Sequence, residues 1–173
     1  MGDGVFISLF IVAVFAGCML AAAWSDLTSM TIPNRISLVL FAGFLAASAL
    51  VQPGWSVFGT HMLVGLSCFA IGVGMFALGW MGGGDAKLFA ATAFWFTWPD
   101  LLVYVVYASI GGGVLALFLL LGRSFLPVQV LTTDWMHRLF RDEKKMPYGL
   151  ALAFGALMTL PRSEFYQFAA SLT

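Results

Sequence analysis

The amino-acid sequence predicts an all-α, polytopic transmembrane helical bundle of about six spans, expected to form one domain over residues 1–173. Three observations predict it. Of the residues, 61% are hydrophobic and 9% are charged, and the mean hydropathy is +0.97, whereas a soluble domain of this length needs far more charge to cover its surface. The apolar residues are gathered into runs that, at about 1.5 Å per residue, approach the ~30 Å of a hydrocarbon core. Helix breakers separate those runs.

Taken in order, the candidate spans are Val5–Trp24, Ile36–Val51, Ser56–Trp80, Ala86–Phe96, Leu101–Leu121 and Pro147–Leu160. Ala21-Ala22-Ala23 in the first run looks like a signal cleavage site. The only charge ahead of the run is Asp3, however, not a positive n-region, so a retained helix is expected. Ile32-Pro33-Asn34 precedes the second span and Gln52-Pro53-Gly54 follows it. Gly82-Gly83-Gly84 precedes the fourth and Trp98-Pro99-Asp100 the fifth. The fourth and sixth spans are short and are expected to be tilted, flanked by thinned bilayer or shielded by neighbours. Trp24, Trp55, Trp80 and Trp98 fall at span ends, as indole rings of an interfacial belt do. Gly65, Gly72, Gly74 and Gly111-Gly112-Gly113 offer smooth faces for close helix packing.

In this plan the connections near residues 25–35, 81–87 and 122–146 lie on one side. They hold Arg35, Lys87, Arg123, Arg138, Arg141, Lys144 and Lys145, leaving only Arg162 opposite. The positive-inside rule makes that side cytoplasmic and has both termini facing outward. In the longest loop, Leu131, Trp135, Met136, Leu139 and Phe140 fall on one helical side and Asp134, His137, Arg138 and Arg141 on the other, the pattern of a short interfacial helix. The net charge is zero, so the partner expected is the lipid bilayer and no nucleic acid. Cys18 and Cys68 lie within apolar runs and read as small core residues, with neither a disulfide framework nor a metal site.

Ionisable groups at a membrane span are costly and usually functional, so the acidic residues are weighed singly. Asp3 and Glu164 are terminal, Asp100 follows a proline in an outer turn, and Asp134, Asp142 and Glu143 share a charged loop. Asp26 and Asp85 remain, each against the end of an apolar helix and both on the cytoplasmic side. Two carboxylates able to meet across a water are the equipment of aspartic proteolysis. The ionised one takes a proton from water while the protonated one polarises the scissile carbonyl. Repulsion and low dielectric are expected to keep a shared proton near neutral pH.

Gly82 and Gly84 read in two ways. They allow φ > 0 and close approach of a peptide to Asp85, or they form a plain turn with an N-capping aspartate. Lys87 either lowers a neighbouring pKa or anchors its helix at the head groups. His61, read as interfacial, and His137 fall on opposite sides of the membrane, so no histidine-based triad or two-histidine metal site assembles. No Gly-x-Ser-x-Gly is present.

Asp26 followed by Ile32-Pro33-Asn34, then Gly82-Gly83-Gly84-Asp85 as a GxGD motif continuing into Ala86-Lys87-Leu88, then Pro147-Tyr148-Gly149 opening the last span, resembles the type IV prepilin peptidase family. The resemblance implies a cofactor-independent aspartic endopeptidase in which Asp26 and Asp85 are catalytic. Its substrate would be a prepilin or pseudopilin, cut after a glycine between a short basic leader and a hydrophobic helix, in service of pilus or secretion assembly machinery. Gly82, Gly84, Lys87, Pro147, Tyr148 and Gly149 would shape the site; Pro147 reads equally as a first-turn helix proline. The long family members carry a large cytoplasmic insertion with a cysteine tetrad, absent here, so the resemblance extends to cleavage and not to N-methylation of the mature pilin. It is to the short form serving tight-adherence or Flp-type pili, and an archaeal preflagellin peptidase has a similar plan. Presenilin-like proteases share GxGD but carry Pro-Ala-Leu where this chain has Pro-Tyr-Gly. A small proton or cation transporter using Asp26 and Asp85, and a silent assembly factor, are the alternatives; a transporter is expected to place acids nearer the bilayer midplane.

Overall fold

A computed structural model of the chain describes residues 2–125, 139–140 and 146–172. The described residues are helical throughout apart from short connections. Helix α1 spans Gly2–Ser29, α2 Asn34–Val51, α3 Trp55–Ala77, α4 Gly83–Ala93, α5 Trp98–Phe125 and α6 Tyr148–Thr159. A 3₁₀ turn at Leu160–Arg162 then leads to α7, Glu164–Ser171. Four of these, α1, α2, α3 and α5, are long and apolar enough to cross a membrane.

The other two expected spans are helices of 11 and 12 residues, α4 and α6. At 1.5 Å per residue they reach roughly 16–18 Å, short of a bilayer core. The six expected spans are thus four long helices and two short ones, and of the readings offered for the short pair the structure supports shielding by neighbouring helices. Helix α4 packs on α2, α3 and α6, and α6 packs on α1, α4 and α5, so neither depends on lipid to cover its polar ends. Their small side chains make this possible: Ala86, Ala90, Ala91 and Ala93 of α4 and Ala151, Ala153 and Ala156 of α6 are all buried.

Glycines set the close approaches. A Cβ on Gly155 of α6 would lie 2.6 Å from the backbone nitrogen of Ala108 in α5, and one on Gly65 of α3 would run into the ring of Phe94. Gly72 meets Ala86 across the α3–α4 contact, whereas Gly74 and Gly113 face open space and take no part in packing. Trp24, Trp55, Trp80 and Trp98 are exposed, as a belt requires.

Away from the helix ends that carry Asp26 and Asp85, an aromatic cluster closes the bundle. The Phe44 ring lies within about 6 Å of Phe58, His61, Phe94, Trp95 and Phe165. His61, expected at the interface, is instead fully buried there, its Nδ1 3.1 Å from the carbonyl oxygen of Phe94. Trp95 donates from Nε1 to the Leu40 carbonyl at 3.2 Å.

Asp100, expected in an outer turn, is buried. One carboxylate oxygen accepts from the backbone N–H of Thr97 (3.3 Å), the Thr97 hydroxyl (2.9 Å) and the backbone N–H of Glu164 (3.2 Å), tying the start of α5 to the start of α7. Helix α7 was not expected from the sequence, although Ser163 directly before Glu164 is an N-cap signal, and its hydroxyl accepts from Tyr166 N–H at 3.4 Å.

Of the anticipated interfacial helix only Leu139 and Phe140 are among the described residues. They are helical and buried against Leu119, next to Leu27, Met30 and Met146. The side chains of Arg123, Arg138, Arg141, Lys144 and Lys145 lie outside the described residues, as do Asp134 and His137.

The contrast between packed and open glycines gives a test. Gly155→Ala is expected to destabilise the detergent-solubilised protein by about 1–3 kcal/mol through the backbone clash with Ala108. Gly74→Ala, with free space, is expected to leave stability unchanged or raise it by up to about 1 kcal/mol. Thermal unfolding of the two variants checks the sign.

Candidate active site

Asp26 begins the last turn of α1, which continues past Trp24 instead of ending there. The helix closes just beyond it: Met30 N–H bonds back to the Asp26 carbonyl at 2.8 Å, and Met30 takes a left-handed φ of 54° that turns the chain sharply. The turn is strapped to the helix by the Ser25 hydroxyl, which donates to the Thr31 carbonyl at 2.8 Å. Asp26 is 5% exposed, a desolvation that a carboxylate tolerates only with a partner. The partner comes from α6, whose Gly149 N–H donates to Asp26 Oδ2 at 2.7 Å.

Pro147 precedes α6 as its N-cap instead of sitting in its first turn, so Gly149 is the second helical residue and its N–H has no partner within the helix. The helix dipole adds to the attraction, since free N–H groups at a helix start favour an anion. Glycine is required there for space. A Cβ would fall 2.9 Å from Asp26 Oδ2 and 2.7 Å from Ile32 Cδ1. Pro147 is buried, whereas Tyr148 projects outward and is exposed.

Asp85 is the third residue of α4, behind an N-cap at Gly82. Gly82 is extended (φ −65°, ψ 145°), and none of Gly82, Gly83 and Gly84 is left-handed, so the expectation of φ > 0 before Asp85 is corrected. Their use is proximity. A Cβ on Gly82 would stand 2.9 Å from Asp85 Oδ2, and one on Gly84 would stand 3.1 Å from Ile32 Cβ. Bare backbone thus flanks the Asp85 carboxylate on its exposed side. The N-cap carries no side-chain hydrogen bond, so Asp85 is not a capping aspartate. Its Oδ1 is buried with no hydrogen-bond partner among the described residues.

Burial, and after it the negative charge of Asp26, push the Asp85 carboxyl up to about 7. Asp26 differs in accepting a backbone N–H, whereas Asp85 Oδ1 has no such partner among the described residues, so the hydrogen bonding of the pair favours the charge on Asp26 and the proton on Asp85. Lys87 points away: it is exposed and donates from Nζ to Asn34 Oδ1 at 2.9 Å, joining α4 to the start of α2. Ile32 entered the sequence reading only within Ile32-Pro33-Asn34, with no part in shaping the site, yet it packs against both glycine-bearing segments. An apolar residue beside Pro33 reads as part of a turn, and only the three-dimensional contacts reveal it.

A family model described as the type IV leader peptidase family matches residues 13–117, more than half the chain and including both carboxylates. The chain belongs to the type IV leader peptidase family. It is similar to a protein of Bacillus subtilis (strain 168) named prepilin leader peptidase/N-methyltransferase, with 29% identity over 157 residues. The match takes in 90% of this chain and 56% of that protein, so the chain spans little more than half the length of the curated relative it matches. No solved structure matches it.

The electrostatic coupling within the pair is open to a direct test. Asp26→Asn removes the neighbouring charge that raises Asp85, so the Asp85 titration should move to lower pH. Carbodiimide labels protonated carboxyls. Labelling of Asp85, read by mass spectrometry across pH 5–9, is expected to fade at lower pH in the variant than in the unaltered protein.

Proposed function

We propose that the chain is an aspartic endopeptidase that removes the short basic leader from prepilin-like proteins at the cytoplasmic face of the inner membrane, with Asp26 and Asp85 as the catalytic pair. The observation that carries this reading is the asymmetry of the two carboxylates. Asp26, anionic on its Gly149 N–H, takes a proton from the attacking water. Asp85, protonated through burial and the charge of Asp26, donates a hydrogen bond to the scissile carbonyl and stabilises the oxyanion that forms there. Collapse of the tetrahedral intermediate returns a proton to the leaving amine, and no acyl-enzyme is made.

The surroundings support a peptide substrate with an apolar helix. Gly82, exposed and without a side chain, leaves room for an extended strand beside Asp85. Directly after Gly149, Leu150 and Ala151 begin an apolar groove of about 370 Å³ between α5 and α6, with Gly111 and Val114 on the facing wall. A substrate helix lying in that groove would present its leader junction to the carboxylates. Arg35 and Lys87, both exposed and near this end of the bundle, fit the orientation that puts the site at the cytoplasmic side and the termini in the periplasm. The B. subtilis relative is named for a second, methyltransferase activity. The two cysteines here, Cys18 and Cys68, are buried in different helices, and the reading for this chain is cleavage alone, in the short form that serves Flp-type pilins.

Co-expression with a panel of prepilins, including Flp-type ones, tests the proposal, with mature N-termini read by mass spectrometry. Cleavage after the leader glycine is expected, and Asp26→Asn and Asp85→Asn should each lower it by about 10²–10⁴-fold at unchanged protein level. Cleavage of none of the panel, or cleavage surviving both substitutions, would remove the peptidase reading.

The pH dependence follows from Asp85. Its proton is needed and is lost as pH rises through about 7, so kcat should fall on the alkaline side of neutrality. An activity confined to strong acid would contradict the assignment of the proton.

A further inference from the structure

We propose that Ile32, in the linker between α1 and α2, is a positioning residue that sets the approach of Asp26 to Asp85 by filling the gap between Gly84 and Gly149. The inference rests on the aspartic-peptidase reading of the pair and names a residue that acts through both carboxylates without touching substrate.

The burial of Ile32 and two contacts carry it. Ile32 is 8% exposed although it lies in a non-helical connection. Its Cβ stands 3.1 Å from where a Gly84 Cβ would be, and its Cδ1 stands 2.7 Å from where a Gly149 Cβ would be. The main chain and Cβ of Ile32 therefore bear on the residue preceding Asp85, its N and O standing 3.3 and 3.5 Å from the same point, and the far end of its side chain bears on the residue whose N–H holds Asp26. A branched aliphatic side chain restricted at χ1 makes a stiff spacer for such a place.

The linker that presents Ile32 is itself held at both ends. On the α1 side, the Ser25 hydroxyl bonds the Thr31 carbonyl at 2.8 Å, and the Ser29 and Thr31 hydroxyls lie 2.8 Å apart. On the α4 side, Lys87 Nζ bonds Asn34 Oδ1 at 2.9 Å. These straps leave the isoleucine little freedom to withdraw, so the helix ends bearing the two aspartates are registered through it. Ile32 belongs to the main hydrophobic cluster of the bundle, and in addition it stands between two backbone segments that carry no side chains of their own at the point of contact.

Shortening Ile32 is expected to loosen the pair and admit water, and both effects return Asp85 toward ordinary carboxylate behaviour. Around Asp85 the charged group that raises it is Asp26 on α1. Tyr104 on α5 and Cys68 on α3 are neutral near pH 7, Lys87 turns out to Asn34, and Arg35 on α2 and Tyr148 on α6 are exposed.

The experiment uses the full chain in liposomes with a prepilin peptide containing its leader and hydrophobic segment, and compares Ile32→Val, Ile32→Ala and the unaltered protein. Ile11→Ala makes a similar truncation in the fully buried core, roughly 22 Å back along α1, and serves as the control for loss of packing alone. The expected result is a graded fall in kcat, reaching up to about a hundredfold in Ile32→Ala, with KM within about twofold and the alkaline limb moved to lower pH. Ile11→Ala should leave the limb in place.

If Ile32→Ala does not fold, Ile32→Val decides, since it removes only the Cδ1 that faces Gly149. Unchanged kcat, or a fall with an unmoved limb, overturns the proposal. If Asp26→Asn and Asp85→Asn still cleave, the peptidase reading fails by itself. Carbodiimide labelling of Asp85 then judges Ile32 without activity: a shift to lower pH in Ile32→Val upholds the spacer role, and no shift ends it.

Discussion

The hydrogen bond from Gly149 N–H to Asp26 Oδ2 joins residues 123 apart in sequence, and the arrangement of this end of the bundle follows from it. A carboxylate buried to 5% exposure would ordinarily cost several kcal/mol or take up a proton. Here a helix start supplies an N–H that would otherwise lack a partner, so two unfavourable features cancel. The bond works only if α6 begins at the level of Asp26. That in turn requires Pro147 to end the incoming chain and Gly149 to carry no Cβ.

Placing α6 there has consequences for the bundle. A helix that starts beside the last turn of α1 and lasts 12 residues cannot span a bilayer, and neither can α4 with 11. Both are surrounded by the longer helices, where alanine and glycine faces let them pack closely. The two carboxylates thus sit on a frame that has little room to relax. Their environments differ by one backbone N–H, which is enough to separate their roles in a shared titration.

Much of this was legible in the sequence because the composition leaves few alternatives. Apolar runs and breakers located the helices, and the scarcity of acids made Asp26 and Asp85 stand out once terminal and loop residues were set aside. What hydropathy does not encode is depth. The short fourth and sixth runs read equally as tilted spans, as thinly flanked ones or as helices shielded by neighbours, since an apolar helix buried in protein and one buried in lipid have the same composition. His61 was misplaced for the same reason: a polar residue near a span end reads as interfacial, and its surroundings come from Phe44 of α2, Phe165 of α7 and Phe94 just after α4. Asp100 was passed over because its three donors are Thr97 and Glu164, one of them distant in the chain.

The glycines show the limit in its sharpest form. Gly82-Gly83-Gly84 invites a reading in terms of backbone freedom, yet the backbone there is ordinary in φ, and the absent side chains matter because of what stands next to them. A sequence can announce that a side chain is missing. It cannot say which neighbour occupies the space, and at Gly84 and Gly149 that neighbour is one residue, Ile32, contributed by a connection that reads as a turn. Three segments far apart in the chain therefore meet through one aliphatic side chain and one hydrogen bond. The distance between Asp26 and Asp85 is then a property of packing at that junction, and the chemistry of the pair depends on a residue that has no chemistry of its own.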